Sequence, residues 1–284
     1  MNPTSMRRAC VIGHPIAHSR SPMIHGYWLS TLGLDGAYEK EDVSPDAFPE
    51  FISNLRGHGY VGANVTVPHK LIAHRLVAHR DAAAEAIGAV NTVWYEDDLL
   101  CGGNSDAFGF LASLDHGAPG WDIAGARAVV LGAGGAARAA AFALATRGVD
   151  VAVVNRTGTR ARDLAAQLGR GISAHAPTEL PLLLERADLL ANCTSLGMVN
   201  EPALEIDLAP LKRTAVVSDA VYVPLETGLL LSARERGHRV VDGLGMLLQQ
   251  AGYGFRKWFG VTPVVTPELR ALIEADLEAA SPRR

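Results

Sequence analysis

Residues 128–137, Ala128-Val129-Val130-Leu131-Gly132-Ala133-Gly134-Gly135-Ala136-Ala137, decide how the fold is read. Four apolar residues in a row suit a strand buried on both faces. The glycines then follow G-x-G-x-x-A, with a further glycine at 135. Gly132 permits a tight turn, Gly134 lets the backbone approach a pyrophosphate, and Ala137 keeps the next helix close to the strand. That helix is Ala-rich from Ala136 to Thr146 and stops at Gly148, a position suited to a left-handed cap. Its N-terminus supplies amide hydrogens and the positive end of a dipole. Gly132, Gly134, Gly135 and Ala136 are therefore expected to bind the phosphates of a dinucleotide. A glycine pattern alone is a weak signal, but a strand before it and a helix after it are the context the motif requires.

The next apolar run, Val151 to Val154, ends in Asn155-Arg156-Thr157, with Arg160 close behind. An NAD site usually places Asp or Glu there, about 20 residues past the glycines, to bond the ribose hydroxyls. Here no carboxylate stands ready to repel a 2′-phosphate. Arg156 offers a planar cation and Thr157 a hydroxyl donor, so Asn155, Arg156, Thr157 and Arg160 predict NADP rather than NAD. Leu189 to Ala191 and Ala215 to Val217 are further short apolar runs, with helical patterns between. This is the βαβ rhythm of a doubly wound, Rossmann-like parallel sheet.

The first third of the chain reads differently. Strands are expected over 9–12, 37–43 and 61–67, and helices over 22–32, 48–55 and from Pro68 onward. Val90 to Tyr95 and Leu99 to Cys101 flank Glu96-Asp97-Asp98, the pattern of a hairpin. The result is an α/β domain with a mixed sheet. A boundary is expected between Asp106 and Asp122, where a helix and the turn Gly117-Ala118-Pro119-Gly120 precede the regular region. Helical patterns over 244–259 and 267–279 close the chain.

Four polar clusters interrupt this first third. His18-Ser19-Arg20-Ser21-Pro22 puts two hydroxyls beside the free amides of a helix start, suited to a carboxylate or to plain capping. In Asn64-Val65-Thr66-Val67-Pro68-His69-Lys70, Asn64 and Thr66 share one face of a strand. Lys70 falls in the first turn of the next helix, where the dipole disfavours a cation, which suits either a functional lysine or a plain surface one. Gly88-Ala89-Val90-Asn91-Thr92 and Gly103-Asn104-Ser105-Asp106 complete the set, and Asp106 is also placed to cap a helix. Hydroxyls, amides, one cation and one carboxylate suit a small polyhydroxylated acid.

Composition narrows the function classes. Of 284 residues, 48% are hydrophobic and the net charge is -4, enough apolar material for two filled cores and no basic stretch for a nucleic acid. Cys10, Cys101 and Cys193 are odd in number and far apart, so reduced thiols are expected. No metal is expected: HExxH is absent, and His69, His74 and His79 would be offset by roughly 140° from one to the next on a helix. No apolar run approaches the ~20 residues of a membrane span, and the cytoplasm is the expected compartment.

Taken in order, these stretches resemble the shikimate dehydrogenase family. Gly13 to Pro22, Asn64 to Lys70, Gly88 to Thr92 and Gly103 to Asp106 are similar to its N-terminal signatures. Asn155-Arg156-Thr157, Asn192 to Met198, Asp219 to Thr227 and Gly243 to Ala251 are similar to later ones. The resemblance implies a substrate domain from residues 1–106 plus 244–284 and an NADP domain over 107–243. It implies Lys70 and Asp106 as the catalytic pair, with Ser19, Ser21 and Tyr222 on the substrate carboxylate. Asn64, Thr66, Asn91 and Gln250 would bond ring hydroxyls, and Thr194, Val221, Gly243 and Met246 would border the nicotinamide. The implied activity is hydride transfer between shikimate or 3-dehydroshikimate and NADP, in a monomer or homodimer. A sister dehydrogenase acting on quinate or aminoshikimate, or a non-catalytic sensor, are the alternatives. A lysine that shuttles a proton near neutral pH needs a lowered pKa, and a carboxylate beside it acts the other way, so proton shuttle and fixed charge both stay open. Ser105 stands where the family usually has Thr, Gly26 where Asn is frequent, and Cys193 where Ala is common.

Overall fold

The computed structural model describes residues 6–169 and 171–280. The chain divides into two compact units, one made of the residues up to Ser105 with Gln250–Ile273, the other of Asp106–Gln249 with the residues from Glu274 on.

The first unit contains β1 (Arg7–Gly13), α1 (Ser21–Thr31), β2 (Gly36–Asp42), α2 (Phe48–Ser53), β3 (Tyr60–Val65), α3 (Lys70–Leu76), β4 (His79–Arg80), α4 (Ala82–Ile87), β5 (Thr92–Glu96) and β6 (Leu99–Gly103). The sheet order is β2-β1-β3-β5-β6-β4. β1 pairs in parallel with β2 and β3, whereas β3 with β5 and β5 with β6 are antiparallel, so the sheet is mixed as the sequence predicts. A central strand has no solvent face, and Ala9 to Ile12 are accordingly buried. β2 is one of the two edge strands; its Glu39, Lys40, Glu41 and Asp42 blunt that edge, and Tyr38 is its buried anchor. The hairpin turns at Asp97-Asp98, with Asp97 in the left-handed region at φ 54°.

One expected boundary shifts. The third strand ends at Val65 rather than Val67, and α3 opens at Lys70 rather than Pro68. Proline holds the preceding Val67 out of helical geometry. A turn closed by the His69 amide on the Thr66 carbonyl (2.9 Å) comes first, and the helix follows it. His69 is buried against Phe48, ring centroids 4.2 Å apart, with Nε2 2.8 Å from the Val43 carbonyl.

The second unit holds α5 (Asp106–Gly117), β7 (Arg127–Leu131), α6 (Gly135–Thr146), β8 (Asp150–Val154), α7 (Gly158–Leu168), β9 (Ile172–His175), α8 (Leu180–Leu184), β10 (Leu189–Asn192), β11 (Val216–Asp219), α9 (Gly228–Glu235) and β12 (Arg239–Val241). Its strands are all parallel, in the order β12-β11-β10-β7-β8-β9. This is the doubly wound order: β7, β8 and β9 step outward one way, β10, β11 and β12 the other. The reversal between β7 and β10 opens a crevice at the strand ends, the usual ligand position in such sheets. The glycine turn follows β7 directly. α6 buries Ala137, Ala139, Ala140, Ala141, Ala143 and Leu144 against the sheet and α5. Small side chains let a helix approach closely. The edge strands β9 and β12 are part-exposed, unlike the fully buried β10 and β11.

Two helices close the chain, α10 (Gly243–Phe259) and α11 (Pro267–Ala280). Trp258 of α10 donates from its indole to the Val93 carbonyl at 2.9 Å, and its own carbonyl accepts from Arg7 at 2.9 Å. The indole reaches β5 because Gly62 leaves room. A Cβ at Gly62 would lie 2.2 Å from the indole nitrogen and 2.4 Å from the Val93 carbonyl oxygen. Gly62→Ala is expected to lower unfolding free energy by about 1–3 kcal/mol, measured by urea denaturation, because neither neighbour has free space to move into.

Candidate active site

The first unit gathers polar side chains at one end of its sheet. Asn64, on β3, and Asn91, just ahead of β5, are both buried. The Asn64 amide donates to the Asn91 carbonyl (3.2 Å) and to the Thr92 hydroxyl (3.1 Å), while its oxygen accepts from the Tyr38 hydroxyl at 2.6 Å. The Asn91 oxygen accepts from the Ser105 amide at 2.8 Å and the Thr92 hydroxyl at 3.0 Å. The Asn91 amide reaches the Gln250 oxygen at 3.3 Å, which also accepts from the Ser105 hydroxyl at 3.1 Å. Asn64, Asn91 and Gln250, far apart in sequence, thus belong to one network. Thr92, Ser105 and Tyr38 join it, although the sequence reading places none of the three among the site residues.

Ser19 and Ser21 stand at the start of α1. The helix has Arg20 at its N-cap, and that residue makes no side-chain cap bond. The Ser19 hydroxyl accepts from the Ser21 amide at 3.3 Å. The Ser21 hydroxyl contacts that of Tyr38 and so connects to the Asn64 network. Thr66 follows β3, half-buried, and its amide donates to the Ile12 carbonyl at 2.9 Å. Lys70 is the first residue of α3, half-buried, and its carbonyl accepts from the Val90 amide at 3.0 Å.

Asp106 belongs to the second unit, as the buried first residue of α5. There the glycine turn shows why glycine is needed. Gly132 sits at φ 104°, and a Cβ on it would lie 3.1 Å from the Cys193 carbonyl oxygen. Gly134 and Gly135 have open space where a side chain would stand. No acidic side chain occupies the first turn of α6 and no side chain caps it. Asn155, Arg156 and Thr157 follow β8, with the Asn155 amide donating to the Thr157 carbonyl at 2.9 Å. Arg156 and Arg160 are exposed, and neither makes an ion pair among the described residues. An open glycine cradle, free helix amides and two available guanidinium groups fit a dinucleotide carrying an extra phosphate.

The loops after β10 and β11 are tied by a buried bond, Asn192 amide to Asp219 carboxylate, at 2.8 Å. The Asn192 oxygen accepts from the Thr194 amide (3.0 Å) and hydroxyl (2.7 Å). Asp219 accepts further from the Val221 amide (3.0 Å) and the Thr227 hydroxyl (2.7 Å). Burial pushes its carboxyl above the usual range, against the pull of those three donors. Gly243 packs on the same loop; a Cβ there would lie 2.4 Å from the Ala220 carbonyl oxygen. Thr194, Val221 and Gly243 are thus held in one assembly. Half-buried Tyr222 follows Val221, and Met246 lies on the first turn of α10. Among the described residues no group of three or more His, Cys, Asp or Glu could hold a metal ion, and no helix is long and apolar enough to cross a membrane.

Comparison with known proteins accounts for this arrangement. Residues 11–93 match the family model of the shikimate dehydrogenase substrate binding domain, and residues 116–206 that of shikimate / quinate 5-dehydrogenase. The chain belongs to the shikimate dehydrogenase family. It is 57% identical over 272 residues to the shikimate dehydrogenase (NADP(+)) of Mesorhizobium japonicum, covering 95% of this chain and 97% of that one. A solved family member, shikimate 5-dehydrogenase from Thermus thermophilus in complex with NADP(H) and shikimate, is 38% identical at TM-score 0.85, covering 96% of this chain and all of that one, 100%. The quinate dehydrogenase of Corynebacterium glutamicum in complex with NAD aligns at TM-score 0.87 and 28% identity, over 95% of this chain and 99% of that one.

One group beside the site titrates abnormally. His25 is buried against Tyr38, ring centroids 3.9 Å apart, and neither of its ring nitrogens has a hydrogen-bond partner. Burial pushes its pKa from 6.5 down to about 3, with the Asn64 side chain acting the other way. Below pH 6.5 the unfolded chain takes up a proton that the folded chain refuses, so stability falls with acidity until about pH 3. His25→Leu, of similar volume, is expected to remove about 1.4 kcal/mol per pH unit of that slope, read from urea melts across the window.

Proposed function

We propose that this chain is an NADP-dependent oxidoreductase interconverting 3-dehydroshikimate and shikimate. The observation that carries the proposal is the joining of Ser21, Asn64, Asn91 and Gln250 through buried hydrogen bonds, in a chain with near full-length relatives of that activity. The first unit takes the substrate. Ser19 and Ser21, with Tyr222, hold its carboxylate; Asn64, Thr66, Asn91 and Gln250 bond its ring hydroxyls. The second unit takes NADP, with the Gly132–Ala136 turn on the pyrophosphate and Arg156, Thr157 and Arg160 on the 2′-phosphate. Thr194, Val221, Gly243 and Met246 border the nicotinamide. When bound, NADP supplies or takes the hydride at the substrate carbon that bears the reacting oxygen.

The chain's own work is to move and stabilise charge at that oxygen. Lys70 places an ammonium beside it, and Asp106 pairs with the same locus. A positioned acid or base of this kind is worth ~10²–10⁴ in rate. The sequence has no long basic stretch, which argues against a nucleic-acid partner. An enzyme of this reaction belongs in the cytoplasm.

The test is steady-state oxidation of shikimate and of quinate, each with NADP and with NAD, followed by absorbance of the reduced nicotinamide. The expected result is a clear kcat/KM preference for shikimate with NADP. A preference for quinate or NAD would move the chain to a sister dehydrogenase, and a folded protein that binds but turns over no pair would make it a sensor. Lys70→Ala is expected to lower kcat at least ~10²-fold with a smaller change in substrate KM. Arg156→Asp is expected to shift preference from NADP toward NAD; an unchanged ratio would assign the 2′-phosphate to Arg160.

A further inference from the structure

We infer that Tyr38 is a positioning residue for the substrate, its buried hydroxyl setting the carboxamide of Asn64. The inference rests on the shikimate reading above and adds to it a residue from an edge strand. Tyr38 is the buried member of a strand whose following residues are Glu39, Lys40, Glu41 and Asp42. A phenylalanine would fill the same apolar space. The ring stacks on His25 at an interplanar angle of 9° and tilts against Trp258 at 5.8 Å between centroids. The phenol oxygen therefore needs its own explanation, and its surroundings provide one.

It donates to the Asn64 oxygen at 2.6 Å, a short bond for neutral partners, and the Ser21 hydroxyl bonds it as well. Burial raises the phenol well above its ordinary pKa, so it remains a donor through the neutral range. The Asn64 amide hydrogens are both used, on the Asn91 carbonyl and the Thr92 hydroxyl. With Tyr38 on one lone pair, the carboxamide keeps a single acceptor site. Asn64 is thereby fixed as an acceptor for a ring hydroxyl and is closed as a donor. Without the phenol the oxygen loses the partner that aims it, while the amide stays tethered. A contact of this type is made alike in ground and transition states, so its loss acts on KM rather than on kcat.

The experiment compares wild type, Tyr38→Phe, Asn64→Ala and the double variant in shikimate oxidation, with thermal midpoints of each. Tyr38→Phe is expected to raise shikimate KM about tenfold, with kcat and the KM for NADP within about twofold. In the Asn64→Ala background the same change is expected to add less than about twofold, because the group it acts through is gone. An unchanged shikimate KM, an equal factor in both backgrounds, or a Tyr38→Phe chain that does not fold would each overturn the inference. A wild-type protein inert toward shikimate would instead overturn the functional reading, and this inference with it.

Discussion

A carboxamide buried between strands must satisfy its oxygen and both amide hydrogens, since each group left unpaired costs about 1–3 kcal/mol. Asn91 meets that demand by joining pieces that the chain keeps apart. Its backbone carbonyl accepts from Val65 at the end of β3, its side-chain oxygen from Ser105 after β6, and its amide reaches Gln250 on α10. These partners lie 26, 14 and 159 residues away in sequence. Each member satisfies a polar group of another, and a network of that kind specifies one arrangement of its elements.

The second unit solves a related problem with a carboxylate. Asp219 is buried at the end of β11 and accepts three hydrogen bonds, from Asn192, Val221 and Thr227. Asn192 ends β10, whereas Val221 and Thr227 lie in the loop after β11, so the carboxylate ties that loop to the end of β10. Thr194 is aimed by the same Asn192 that bonds Asp219. Asn192 and Asp219 thereby fix the positions of Thr194 and Val221.

The central strands are legible in the sequence because parallel strands buried on both faces are written as unbroken apolar runs. β7, β8, β10 and β11 all fall where those runs predict. β9 and β12 are not; Ile172-Ser173-Ala174-His175 and Arg239-Val240-Val241 are short edge strands with mixed polarity and carry no period. The glycine turn is legible because φ 104° at Gly132 leaves glycine as the natural choice. Among the polar residues, the carboxamides of Asn64 and Asn91 stand out as amides in apolar surroundings. Tyr38 does not, because a tyrosine on a strand is ordinary to any pattern and its role is set by Ser21 and Asn64 from other elements. The start of α3 lies two residues past its expected place because the sequence shows the proline and not the turn that the Thr66 carbonyl closes.

The alanine face of α6 also governs how that helix is held. Alanine has no rotamers to freeze, so apart from Leu144 the buried face of α6 is made by groups that surrender no side-chain freedom. The helix is held close by its small side chains, and a longer side chain at Ala137, Ala140 or Ala141, all fully buried, would find no free space. An anion that docks on the helix start meets amides already locked in place. It finds its binding surface organised before arrival, and the entropy lost on capture is the anion's rather than the protein's.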